Sequence, residues 1–232
     1  MKRFYELATA ARRDDGFTIL LDARAMLTPA KNPIALPTAE LAEAIAAEWS
    51  AQTEEIDTTT MPYTRHAYTA IDGVQQSSSQ VVQEVARFAE TDLTCYWAEG
   101  PDSLTVEQAA AWQPLLDWLQ EQYGVSLAVT RGIMPVQQQP ESLAALTAVV
   151  AAHDPFALTA LHTIVSISGS LVIGLAVSAG HLASSRAWQV SRIDHDYQAA
   201  QWGEDPEAAA DAARTKAEFE AAARFLDLVR SP

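Results

Sequence analysis

Between Asp154 and Arg186 the chain carries no formal charge. The centre of this run, "LHTIVSISGSLVIGLAV" at 161–177, is apolar or small on every helical face. Such a stretch has three homes: a membrane span, an active-site strand–turn–helix, or the buried centre of a folded domain. A spanning helix needs about 20 mainly apolar residues with basic flanks. From Ile164 to Val177 this run instead holds Ser166, Ser168, Gly169, Ser170 and Gly174, and its flanks lack basic clusters. Its "SGS" does not match the G-x-S-x-G nucleophile elbow. Ser166, Ser170, Gly174 and Ser178 recur every fourth residue. On one helix they form a flat stripe against which a neighbour sits close. The run therefore predicts the centre of a helical bundle without membrane insertion, and Gly174 is read as structural.

The rest of the chain has two textures. The first 37 residues read as a β-meander, with "RFYELATA", "FTILLD" and "IALP" as strands and "DDG" at 14–16 as a turn. Thr38 then caps a helix whose Leu41, Ile45 and Trp49 share one stripe. Trp49 is read as packing this helix on the sheet. "MPYTRHAYTAID" suggests a short helix or turn cluster, and "DLTCYWA" a helix end or a strand. "EQAAAWQPLLDWLQEQYG" is helical, with Pro114 expected to kink or split it. "VSLAVT" at 125–130 alternates and is expected to rejoin the N-terminal sheet. Four Pro-, Gly- or Ser-bounded helical segments follow. The fold class is α+β: an antiparallel β-rich domain with packed helices at 1–135, then an all-α helical bundle at 136–232.

Charge and motifs narrow the function. Thirty acids against fifteen bases give a net charge of −15 over 232 residues, which repels phosphate backbones, so nucleic-acid binding is not expected. The single cysteine, Cys95, forms no internal disulfide, and the start resembles neither a signal nor a transit peptide. The expected compartment is the cytoplasm. The five histidines are scattered, with no H-x-x-x-H or C-x-x-C pair, no P-loop and no G-x-G-x-x-G. No catalytic, cofactor or metal site is expected. The richest polar stretch, 191–209, gathers Asp194, His195, Asp196, Glu204, Asp205 and Glu207. Paired acids suit acid/base catalysis, which makes a small cytoplasmic hydrolase or acid/base enzyme the alternative reading. Neighbours on one helix fan out to different sides, which opposes it. Asp194 stands out because it interrupts an apolar pattern set by Trp188 and Tyr197.

A resemblance gathers these features. "KRFY" at 2–5, "LLDAR" with "TPAKNPIALPT" at 20–38, "LAEAIAAEW" with "MPYTR" at 41–65, "FAETDLTCYWAEGP" at 88–101, "AAWQPLLDW" at 110–118, "DPFALTALH" at 154–162 and "QWGED" at 201–205 occur in order. In this order and spacing the chain resembles the assembly chaperones of the F1 sector of ATP synthase, the ones that hold the free α subunit. The resemblance implies a β-rich and a helical domain, no catalysis and no cofactor. The implied partner is the F1 α subunit, bound by a chaperone that is monomeric when free. Eukaryotic relatives are mitochondrial, and this chain is expected to be a bacterial, cytoplasmic member. The family carries an acidic residue in the helix before a W-G pair that is linked with chaperone function. Trp202-Gly203 sets that frame, and the matching position is Asp194, a shorter acid where Glu also occurs. Asp194, Asp196 and Glu204 are the residues expected to meet the partner, and Trp49, Gly174 and Trp202 are read as structural.

Overall fold

The computed structural model describes residues 1–203 and 205–230. They form two compact units. One comprises Met1–Ser78, Asp154–Ala160 and the residues from Ala221 on, the other Ser79–His153 and Leu161–Glu220. Both units are discontinuous in sequence, whereas the change of texture suggested one division near residue 135.

In the first unit, β1 (Ala8–Arg13), β2 (Gly16–Leu21) and β3 (Arg24–Ala25) form an antiparallel meander in that order, with Ala8 opposite Leu21 and Arg13 opposite Gly16. Gly16 has φ 133°, and a Cβ there would lie 2.5 Å from the Leu36 carbonyl oxygen, so only glycine fits this turn. The expected "IALP" strand is reduced to one bridge, in which Phe17 and Leu36 exchange backbone hydrogen bonds of 2.9 and 2.7 Å. Pro33 and Pro37 flank it without N–H donors, which stops the ladder. Helix α1 (Ala39–Ser50) follows, with the Thr38 hydroxyl accepting from the Leu41 N–H at 3.2 Å and donating to the Leu228 carbonyl at 2.5 Å. C-terminal residues thus complete the core of an N-terminal sheet. The Phe225 ring adds to it, with its centroid 5.2 Å from His66 and 6.5 Å from Phe156. Trp49 on α1 is buried against Tyr5, whose hydroxyl donates to the Trp49 carbonyl at 2.7 Å. Helix α2 (Pro62–Thr69) runs through a π-turn at Ala70–Val74 into α3 (Gln75–Ala86).

The second unit is mainly helical. Strand β4 (Tyr96–Trp97) pairs in parallel with β5 (Thr130–Arg131), in a sheet separate from the meander. "VSLAVT" therefore does not rejoin the N-terminal sheet. Its Ala128 N–H donates to Gln138 Oε1 at 2.7 Å and its carbonyl accepts from Gln138 Nε2 at 2.9 Å, so a side chain satisfies the backbone there in place of a strand. Helix α4 (Asp102–Tyr123) passes through Pro114 unsplit. Pro114 and Ala110 both lie on its exposed face, where water can satisfy the freed carbonyl. Helices α5 (Pro140–Ala151), α6 (Pro155–Ser168), α7 (Leu171–Ser178), α8 (Ser184–Ser191), α9 (Ile193–Trp202) and α10 (Pro206–Arg230) complete the chain, in place of the four expected segments.

The charge-free run supplies two of the extra ends. It breaks at Gly169, φ 68°, and restarts at Ser170, whose hydroxyl oxygen accepts from the Ile173 N–H at 3.0 Å. The predicted four-residue stripe is therefore divided: Ser166 is exposed on α6, Ser170 caps α7, and Gly174 and Ser178 lie on α7. Every residue of α7 is buried. A Cβ on Gly174 would overlap the Val165 side chain and come within 3.1 Å of Leu161, so the α6–α7 approach depends on this glycine. Among the described residues, no helix is long and apolar enough to cross a membrane.

Asp92 secures the break. Its carboxylate has no exposed surface and accepts from Ser170 Oγ at 2.6 Å, the Val172 N–H at 3.0 Å, the Thr94 N–H at 3.0 Å and Thr94 Oγ1 at 2.8 Å. Burial raises its pKa above 3.8 against the opposing effect of these donors. The folded chain then holds the Asp92 proton more tightly than the unfolded chain. Its contribution is fully present below pH 3.8 and is lost as pH rises through the folded value. We expect the unfolding free energy of the wild type, measured relative to Asp92→Asn by urea titration, to decline as pH is raised from the acid limb toward neutrality. A difference that grows with pH contradicts this sign.

Candidate partner-binding site

Helix α9 begins where Arg192 departs from helical geometry, and its first residue, Ile193, is buried. The preceding turn is anchored by Trp112 on α4, whose indole N–H donates to the Val190 carbonyl at 2.8 Å. This anchor holds Asp194, half-buried, opposite Gln108 of α4. Gln108 is buried and uses both ends of its amide. Nε2 donates to Asp194 Oδ1 at 2.6 Å, and Oε1 accepts from the Ala98 N–H at 2.7 Å. The β4 side is fixed in turn by the Trp97 indole N–H, which donates to the Thr94 carbonyl at 2.8 Å, and by the Gly132 N–H on the Trp97 carbonyl at 2.8 Å.

Together these residues bound an open groove of about 620 Å³, lined by Tyr96, Trp97, Glu99, Gln108, Ile133 and Asp194 among others. Ile133 is 96% exposed, and its neighbour Met134 is exposed as well. The groove thus offers two carboxylates, two aromatic rings and a projecting aliphatic side chain. That combination suits a protein surface carrying a cation beside apolar area.

The other acidic candidates lie elsewhere. Asp196 is exposed, ion-paired with Arg192 at 3.6 Å, and borders a separate recess of about 350 Å³ with Glu107, Arg186 and Gln189. Glu204 lies outside the described residues. Trp202 is 80% exposed at the end of α9, so the structural role read for it is not a core contact. It ends a helix whose outer face meets water, and Gly203, with φ 88°, terminates that helix. His195 is exposed and meets neither recess. The three adjacent residues Asp194, His195 and Asp196 therefore do not converge as an acid/base site would require. Among the described residues, no cluster of His, Cys, Asp and Glu could hold a metal ion. Cys95 is buried, and burial first, then the Asp92 charge, push its thiol up to about 12, which keeps it protonated and unreactive at neutral pH.

Gln108 and Ile133 were not foreseen. Gln108 had a signal: it interrupts the stripe Leu104, Ala111, Trp112 and Leu115 at a buried position of α4. Ile133 precedes "MPVQQQP", which reads as a linker and hides an exposed anchor.

Comparison with known proteins adds to this geometry. The family model for the ATP12 chaperone protein matches residues 2–120. The crystal structure of Atp12 from Paracoccus denitrificans is similar over 99% of this chain and 98% of its own, at 42% identity and a TM-score of 0.95. A structure from Agrobacterium tumefaciens, described as a putative chaperone, is similar over 99% of this chain and 86% of its own, at 38% identity and a TM-score of 0.93. The mitochondrial protein atp12 of Schizosaccharomyces pombe is 24% identical over 214 residues, covering 87% of this chain and 74% of that protein.

Gln108→Leu removes the donor to Asp194 and strands the Ala98 N–H. We expect it to lower the unfolding free energy in urea by about 1–3 kcal/mol. Asp196→Ala removes a surface ion pair and should change it by less than about 1 kcal/mol. Equal effects of the two substitutions contradict the positioning role of Gln108.

Proposed function

Because this chain belongs to the ATP12 chaperone protein family, we propose that its part in assembling the F1 sector of ATP synthase is to hold the unassembled α subunit. It shields the surface of α that will meet the β subunit and gives it up when β arrives. A free subunit exposes apolar interface that would otherwise aggregate. A chaperone for it has to bind reversibly, which favours a modest, partly polar contact over a large apolar one. The observation that supports the reading is the Asp194 groove, where a carboxylate held by a buried glutamine stands beside an exposed isoleucine. Asp194 meets a cation of the α subunit, and Ile133 covers adjoining apolar surface. Asp196 and the acids around it add a negative field that favours encounter with a basic face. The chaperone acts as a monomer in the cytoplasm and needs no bound cofactor.

The test is capture of purified α and β subunits, offered separately to immobilised protein. The wild type should retain α and not β. Asp194→Asn keeps an oxygen for Gln108, so its circular dichroism and melting should match the wild type while retention of α falls at least about fivefold, as for loss of a charge-assisted contact of about 1 kcal/mol or more. Retention of neither subunit, or of both equally, refutes the proposal.

A further inference from the structure

The Asp194 groove holds a second acid that the contact described above leaves unused. Among the described residues that line it, Glu99 and Asp194 are the charged ones. Glu99 follows β4 in sequence and is exposed, whereas Asp194 sits on α9. Gly132 makes room for Glu99. A Cβ at this glycine, which has φ 76°, would come within 2.7 Å of Glu99 Oε1 and 3.2 Å of Glu99 Cγ, so the acidic side chain lies against the backbone just beyond β5.

Both acids keep acceptor capacity. Among the described residues Glu99 makes no hydrogen bond or ion pair. Asp194 accepts from Gln108 through Oδ1, at 2.6 Å, which leaves Oδ2 open. The bases next to these segments in sequence are engaged elsewhere and do not line the groove. Arg131 lies over the Trp97 ring, with Cζ 5.9 Å from the centroid. Arg192 pairs with Asp196 at 3.6 Å and lies over the Trp188 ring at 5.4 Å. Two negative charges in one recess repel each other, and a cation between them offsets that repulsion. The rest of the wall includes Tyr96, Trp97 and Ile133. A lysine ammonium is a compact, strongly hydrated point charge. An arginine guanidinium is planar and more weakly hydrated, offers five donors in a fixed fork, and packs its face on an aromatic ring. It is the cation suited to serve two carboxylates from separate elements at once.

We propose that Glu99 is a specificity-determining residue of this groove: together with Asp194 it holds one arginine side chain of the α subunit, in preference to lysine. The guanidinium donates to Asp194 Oδ2 and to the Glu99 carboxylate, while Oδ1 stays with Gln108. The inference rests on the holding of the α subunit at this groove and names the side chain that enters it.

Biolayer interferometry of immobilised chain with purified α subunit tests this. Glu99→Gln keeps the size of an exposed side chain and removes its charge, so it should melt with the wild type and raise the Kd for α about fivefold, as for loss of a charge-assisted contact. Asp117→Asn removes the same charge from an exposed position of α4 outside the groove and should change the Kd by less than about twofold, which separates contact from long-range field. Glu99→Gln combined with Asp194→Asn should raise the Kd by less than the product of the two single effects, because both acids act on one cation. Methylguanidinium chloride should weaken binding of α to the wild type more than methylammonium chloride does at equal ionic strength, and the difference should vanish in the double variant. A wild type that holds α while Glu99→Gln holds it equally well overturns this inference and leaves the Asp194 reading standing. Single effects that multiply in full overturn the shared cation, and equal competition by the two salts overturns the choice of arginine. Failure of the wild type to bind α removes the α-subunit reading and this inference with it.

Discussion

The second unit depends on one carboxylate that never meets solvent. Asp92 sits 78 residues from Ser170, yet its four donors come from both sides of that gap. A buried carboxylate is tolerable only if its oxygens are satisfied. Here the satisfied oxygens perform two tasks. They terminate the charge-free run as two short helices, and they hold the turn at Leu93–Cys95 from which β4 departs. That bond set holds in place the break that Gly169, with φ 68°, and the Ser170 cap make. With it, α7 is placed so that Gly174 takes the side chains of Leu161 and Val165 at close range.

The same turn connects packing to the proposed site. From Asp92 the contacts pass to Thr94, whose carbonyl receives the Trp97 indole N–H. They continue through Ala98 to Gln108 and end at the Asp194 carboxylate. Apart from the peptide bond between Trp97 and Ala98, each step is a buried or half-buried hydrogen bond whose loss would leave a polar group unpaired, so the chain is held in one arrangement. Asp194 therefore has a fixed place although it belongs to a short helix rich in exposed polar residues. A rigid carboxylate loses little freedom on meeting a cation, and a preorganised contact of small area can be both selective and reversible.

Much of this was legible in the amino acids, and the parts that were not have physical reasons. The DDG turn, the Thr38 cap and the Trp49 stripe are local patterns, and each lies where its own sequence places it. The α+β class follows from them. Two of the misread elements depend on a side chain outside their own segment. Gly169–Ser170 looks like the middle of one helix because its partner, Asp92, is far away in sequence. "VSLAVT" alternates like a sheet strand, but Gln138 occupies the backbone of Ala128. Pro114 was expected to kink or split its helix; α4 is not split, and Pro114 and Ala110 lie on its exposed face, where water can take the freed carbonyl. At the site, Asp194 was visible as an acid inside an apolar pattern, whereas the partner that gives it meaning, Gln108, looked like an ordinary helix glutamine. Trp202, read as structural, meets water at the end of α9.

The central claim is that the Asp194 groove is the surface that holds the α subunit. Hydrogen–deuterium exchange of the chain, with and without purified α subunit, tests it most directly. Slowed exchange is expected at residues 96–100, 131–134 and 192–196 on addition of α, and clearly less slowing there with Asp194→Asn at the same concentrations. Unchanged exchange in all three segments while α is demonstrably bound would contradict it.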